Sequence, residues 1–168
     1  YVLHAIESGK DTFVEKPLCL TLGELGQIEG ALGKGTAPRL MVGFNRRFSP
    51  LTQKVNQLLS SITSPKSFVM TVNAGKIPAD HWTQDPEVGG GRIVGEGCHF
   101  IDLLRFLAGA PVADWHVSRL RDTAETVADK VSINLEFEDG SQGTIHYLAN
   151  GHRGFPKERL EIFCSGKV

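Results

Sequence analysis

The apolar positions of the chain fall into two regimes. Up to about residue 45 they come as short runs between glycines and helix-like polar stretches. Val2-Leu3-His4-Ala5-Ile6 reads as the end of a helix closed by Gly9. Thr12-Phe13-Val14-Glu15 reads as a short strand that stops at Lys16-Pro17. Thr21 with Glu24 three residues later has the pattern of a capping box. A helix is predicted from there to about Ala31, broken by Gly30, Gly33 and Gly35. Arg39-Leu40-Met41-Val42-Gly43-Phe44 is a second short apolar strand, of the kind found in buried parallel sheets. Helix, strand, helix, strand is the order of an α/β winding.

Beyond Asn45-Arg46-Arg47-Phe48 the pattern changes. Ser49 and Pro50 open a helix that carries Leu51, Val55, Leu58 and Leu59 on one face, and Lys66 to Asn73 reads as a strand. Residues 74–91 form a polar, glycine- and proline-bearing loop around His81-Trp82, longer than ordinary connections. Gly89-Gly-Gly91 then leads into an apolar pattern (Ile93, Val94, Cys98, Ile101, Leu104) at three- and four-residue steps, ended by Gly109 and Pro111. His99, Asp102 and Arg105 interrupt that helix as a polar line on one flank. The remainder is strand-rich. Asp114–Leu120 is a candidate strand, and Val131, Ile133, Leu135 and Phe137 alternate with polar residues. Asp139-Gly140 marks a hairpin turn into Gln142–Leu148, and Arg159–Cys164 supplies a further strand. The fold predicted is an α/β segment at residues 1–45 followed, at 46–168, by an α+β domain with an open, mostly antiparallel sheet.

Composition narrows the function classes. Eighteen basic residues against nineteen acidic ones leave a formal charge of -1, so no broad field draws nucleic acid or anionic lipid. Arg46-Arg47 and the Arg119/Arg121 pair are local features. The three cysteines, Cys19, Cys98 and Cys164, lie far apart without metal-ligand spacing. No metal site is expected, and reduced thiols in a cytoplasmic protein fit better than disulfides. No apolar run approaches the ~20 residues of a membrane span. The chain opens at Tyr1 directly in helical pattern, as expected of a piece of a longer protein.

Three segments carry a resemblance. Gly9-Lys-Asp-Thr-Phe-Val-Glu-Lys-Pro-Leu18, Val42-Gly-Phe-Asn-Arg-Arg-Phe-Ser-Pro50 and Gly89-Gly-Gly-Arg-Ile-Val-Gly-Glu-Gly-Cys-His-Phe-Ile-Asp102 resemble, in order and spacing, motifs of the Gfo/Idh/MocA oxidoreductases, which use NAD or NADP. The Trp82 loop and the wording around His99 look most like a subgroup found in two-part bacterial proteins. The resemblance implies that residues 1–45 are the C-terminal part of a Rossmann-type dinucleotide-binding domain. It implies that 46–168 are a substrate domain whose antiparallel sheet serves homo-oligomerisation. It further implies hydride transfer between a nicotinamide cofactor and a sugar, polyol or nucleotide-sugar hydroxyl or carbonyl. By the same resemblance Lys16 and His99 stand beside the nicotinamide and the substrate hydroxyl. Glu15, Lys16 and Pro17 line the cofactor. Arg47 is expected in a salt bridge, with cofactor contact as the alternative.

Oxidising a secondary alcohol needs a base for the hydroxyl proton while the carbon gives up hydride. An imidazole titrates near the working pH, which makes His99 the principal acid/base. Lys16 is the electrostatic or acid/base partner. Trp82 can stack on a sugar or anchor its loop, and Asp102 can orient His99, cap backbone or touch substrate. Cys98 is expected in the core. One departure stands out. Many members of the family carry an Asp one helical turn before the histidine, and here that residue is Gly95. Glu96 is adjacent but about 100° around the helix. Proton relay through Glu96 or a water, and a binding or assembly domain that has lost the chemistry, are both open readings. No G-x-G-x-x-G turn is present, so the chain by itself is expected to bind NAD or NADP very weakly or not at all.

Overall fold

The computed structural model describes residues 1–33, 38–120 and 129–168. Gly35 and Arg121, both singled out above, lie outside them. The chain divides into two compact units, Tyr1–Asn45 and Arg46–Val168.

The first unit runs α1 (Val2–Glu7), β1 (Thr12–Val14), α2 (Leu22–Leu32), β2 (Leu40–Val42). The two strands are parallel, with Thr12 opposite Leu40 and Phe13 opposite Met41. The predicted capping box is present. Thr21 Oγ1 accepts the Glu24 amide at 3.2 Å, and the Glu24 carboxylate accepts the Leu20 and Thr21 amides at 2.9 and 3.1 Å. Those backbone donors hold the Glu24 carboxyl below its ordinary range. Among the described residues of this unit only Ile6 and Ile28 are buried apolar side chains, while Phe13 and Met41, which share a face by register, are exposed.

A 3₁₀ turn, Asn45–Phe48, carries the chain from the first unit into the second, which continues with α3 (Pro50–Leu59), whose first turn is capped by Ser49 Oγ accepting the Thr52 amide at 3.2 Å. Then follow β3 (Ser67–Asn73), a loop with a short 3₁₀ turn at Trp82–Gln84, a π-helical turn at Ile93–Gly97 and α4 (Cys98–Ala108). Gly109 ends α4 at φ 76°, as the left-handed cap position requires. The strands β4 (Val112–Arg119), β5 (Lys130–Phe137), β6 (Gln142–Leu148) and β7 (Glu158–Phe163) complete one sheet in the order β4-β5-β6-β3-β7. β3 and β6 are parallel, and the other three pairings are antiparallel. The sheet is therefore open, mixed and mostly antiparallel.

Alternation along β5 and β6 does what the sequence pattern implies. Val131, Ile133, Leu135, Phe137, Ile145 and Tyr147 point inward and join Phe68, Met70 and Val72 beneath Phe100, Leu103, Leu104 and Leu107 of α4. Leu104 and Ile145 are fully enclosed. Helix and sheet meet closely at Gly143, where a Cβ would lie 2.8 Å from Leu104 Cδ1. The Asp139-Gly140 turn is made as predicted: Asp139 accepts the Ser141 amide at 3.0 Å and its hydroxyl at 2.9 Å, and Gly140 has φ 81°.

Candidate functional site

Because β3 and β6 are parallel and in register to Asn73 and Leu148, their carboxyl ends open on one side of the sheet. The loops that leave there are fixed. Asn73 Nδ2 donates to the carbonyls of His152 and Phe155 at 2.9 and 3.3 Å and ties down the segment after β6. In the loop after β3, Asp85 Oδ1 accepts the amides of Glu87 and Val88 at 2.8 and 3.2 Å, and its carbonyl accepts those of Gly89 and Gly90. A Cβ on Gly89 would fall 2.5 Å from Thr83 Cα, so the glycine run packs directly on the Trp82 turn. Trp82 is 62% exposed, not a buried anchor, and stacks on His81 with centroids 5.9 Å apart.

The glycine-led helix begins with a feature that the three-and-four spacing did not predict, the π-turn Ile93–Gly97. Arg92, at its start, is a buried cation. Its guanidinium donates to the carbonyls of Gly75 and Ala74 at 2.6 and 3.1 Å, lies 3.4 Å from Glu96 Oε2 and 4.0 Å from Asp129, and stands over the Tyr147 ring. The Tyr147 hydroxyl donates to the same Glu96 oxygen at 2.6 Å. Burial raises the Glu96 carboxyl, but the Tyr147 hydrogen bond and the Arg92 charge outweigh it and hold the group below its ordinary value. Burial first, and then the Glu96 carboxylate, push the Tyr147 phenol far above its ordinary value, so it remains a donor.

One turn later the polar line separates. Steps of three residues fall about 60° short of a full helical circle each time, so His99, Asp102 and Arg105 diverge. Asp102 is buried, His99 half-buried and Arg105 exposed. Both Asp102 oxygens accept from Arg47: Nε at 2.7 Å, and the second nitrogen on Oδ1. This is the salt bridge expected of Arg47, and it raises the guanidinium further above its ordinary value. The partner found for Asp102 is thus Arg47, from the junction before α3. Arg46 forks onto Glu158 of β7 and stands 4.5 Å over the Phe100 ring. Two adjacent arginines therefore anchor opposite sides of one helix. Cys98 is half-buried outside the core cluster, contrary to the core position expected, because α4 turns Phe100 and Leu104 to the sheet instead.

In the first unit, Glu15, Lys16 and Pro17 follow β1 directly, with a cis Lys16-Pro17 peptide bond. They leave the carboxyl edge of the two parallel strands, where α/β sheets place ligands. Glu15 Oε2 packs over Gly43 at the end of β2, 3.1 Å from where a Cβ would be. Lys16 and Pro17 are half-buried and Glu15 is exposed.

Arg92, Tyr147 and Asn73 escaped the sequence reading. A signal existed for Arg92, a cation four residues before Glu96 in an otherwise apolar stretch. For Tyr147 and Asn73 none existed, because their partners lie 51 and about 80 residues away. Among the described residues no group of three or more His, Cys, Asp or Glu side chains is placed to hold a metal ion, and no helix is long and apolar enough to cross a membrane.

Comparison with known proteins fits this architecture. An inositol 2-dehydrogenase of Saccharopolyspora erythraea is 29% identical over 161 residues, covering 92% of this chain and 45% of the relative. The scyllo-inositol 2-dehydrogenase (NAD(+)) of Bacillus subtilis is 33% identical over 154 residues, covering 86% and 43%. The crystal structure of an oxidoreductase domain protein from Kribbella flavida superposes with a TM-score of 0.77 at 25% identity, over 98% of this chain and 50% of that one. The chain spans about half the length of the curated relatives it matches. The family model of the GFO/IDH/MocA C-terminal domain matches residues 53–167, most of the second unit with its sheet and its glycine-led helix, and the chain belongs to that family.

Proposed function

We propose that this chain is the C-terminal part of an NAD(P)-dependent oxidoreductase acting on a hydroxyl or carbonyl of a sugar, polyol or nucleotide-sugar. The observation that carries the reading is His99. It is a half-buried imidazole on a helix whose core face is packed, whose middle is held by Arg47 on Asp102 and whose leading turn is held by Arg92 and Tyr147 on Glu96. A base held in place by its helix loses little to misalignment when it takes a hydroxyl proton. Lys16, at the carboxyl edge of β1 and β2, is assigned as an electrostatic or acid/base group of that edge, with Glu15 and Pro17 shaping it. The nicotinamide cofactor, when bound, supplies the hydride acceptor. The fit of this chain to it is partial. It offers the carboxyl edge of two parallel strands, but not the glycine turn that cradles a pyrophosphate. Residues 1–45 are read accordingly as the tail of a Rossmann domain. The inositol dehydrogenases among the relatives support the substrate class.

Trp82 is assigned to sugar stacking, because its ring is exposed on an ordered turn. Asp102 and Arg47 are assigned to holding α4 rather than to substrate or cofactor. The sheet face that carries Ser132, Asn134, Thr144 and His146, opposite α4, is assigned to assembly with a second copy. One observation favours a second reading, a binding or assembly domain without dehydrogenase chemistry: no side chain stands at Gly95, one turn before His99. Assay of the intact protein against inositols, sugars and nucleotide-sugars with NAD(+) and NADP(+) separates the two. Turnover lost by about a thousandfold in His99→Ala supports the first. Equal turnover by parent and variant removes His99 from the mechanism, and turnover by neither favours the second.

A further inference from the structure

We propose that buried Arg92 and Tyr147 and the half-exposed Glu96 between them form a clamp that sets the glycine run against His99, and that Glu96 is a positioning residue rather than a proton carrier. The proposal rests on the reading of His99 as the acid/base. A π-turn is rare and persists where its surroundings over-determine it. Here they do so at both ends. Downstream, α4 is fixed by Leu103, Leu104 and Leu107 in the core and by Asp102 on Arg47. Upstream, Arg92 is fixed by the carbonyls of Ala74 and Gly75, which lead out of β3. Between them, Glu96 is drawn to Tyr147 on β6. A π-turn holds one residue more than the α-turn it replaces, so its relaxation would re-phase one flank against the other by about 100°. The core holds α4 and with it His99. Once the clamp is released, the segment that shifts is therefore residues 89–95, whose glycine run packs on the Trp82 turn at Gly89.

The same contacts occupy the carboxylate. Glu96 Oε2 takes a hydroxyl hydrogen at 2.6 Å and faces a buried guanidinium at 3.4 Å. A carboxylate bound in that way is stabilised in its charged form and makes a poor acceptor for a proton in transit. It is well suited to holding a turn, since losing the carboxylate would leave the buried Arg92 guanidinium short of an ion pair and the buried Tyr147 hydroxyl short of its acceptor.

The test uses the intact protein with scyllo-inositol and myo-inositol as probes and NAD(+) as oxidant, together with hydrogen exchange of the backbone amides. Tyr147→Phe deletes one oxygen and preserves the ring. Arg92→Lys keeps the charge but not the fork. Both are expected to raise KM about tenfold while kcat stays within about threefold. Exchange at residues 89–97 should quicken while 100–108 stays as in the parent. Glu96→Gln should leave the pH dependence of kcat/KM in place. The clamp is overturned if exchange at 89–97 is unaltered in Tyr147→Phe and Arg92→Lys, a readout that needs no turnover. The positioning role is overturned if Glu96→Gln removes a limb of the pH profile or lowers kcat as far as His99→Ala does. If His99→Ala turns over like the parent, the reading of His99 fails while the exchange result still decides the clamp.

Discussion

The two units solve the same problem with very different means. The second encloses a continuous core between five strands and α4, with Leu104 and Ile145 fully removed from water. The first, among its described residues, buries only Ile6 and Ile28, and it leaves Phe13 and Met41 exposed on a parallel pair of strands. Parallel strands ordinarily have both faces covered. Local devices fill part of the gap: the Thr21–Glu24 capping box, and the Asp11 carboxylate gripping the Arg39 amide and guanidinium where the two strands begin. Secondary structure can thus be specified by caps and turns where a core is thin, but resistance to unfolding comes from enclosed apolar volume.

The contrast can be broken by mutation. Leu104→Ala should cost the second unit about 3–4 kcal/mol in urea unfolding, since it leaves a cavity between α4 and β6, and a loss below about 1 kcal/mol would mean that the core is not closed there. Asp102→Ala should cost about 3 kcal/mol by stranding the Arg47 guanidinium, and the double variant with Arg47→Ala should recover part of that loss. In the first unit Thr21→Ala should cost about 1 kcal/mol, read as faster amide exchange confined to α2. Phe13→Ser should change the stability of this chain by less than about 0.5 kcal/mol, because the residue is 62% exposed.

The smallest effect is a pH dependence. Glu96 has a folded-state value below that of the unfolded chain, so its contribution is complete above the unfolded value of about 4.3 and is lost as the pH falls through the lower folded value. The difference in melting temperature between parent and Glu96→Gln should be flat from pH 7 to about pH 5 and shrink below about pH 4. A difference that grows on acidification would show that the carboxyl is raised instead.

Most of the elements were legible because their causes are local. Thr21 and Glu24 meet within one turn, Pro50 follows its Ser49 cap, and Gly140 takes the left-handed turn that a hairpin needs. β5 shows its inward face by strict alternation, as a strand with one wet side must. Of the candidate site, the salt bridge expected of Arg47 is present, on Asp102, whereas the roles of His99 and Lys16 rest on their motifs and stand as proposals. The clamp was not legible in the sequence, since Tyr147 reads as one more inward residue of an alternating strand until its hydroxyl meets Glu96. Nor was the divergence of His99 from Asp102, which follows from helix phase combined with the side on which Arg47 lies.

By itself, then, the sequence determined the order of helices and strands, the caps that start them, the turn between β5 and β6 and the identity of the titratable residues. Each depends on neighbours a few positions apart. Tertiary structure alone decided that β3 lies parallel to β6, that the helix before His99 opens with a π-turn, and that Glu96 joins the buried Arg92 and Tyr147 in one network. Those outcomes depend on which distant groups can satisfy a buried charge, and that is settled only when the whole sheet has closed beneath α4.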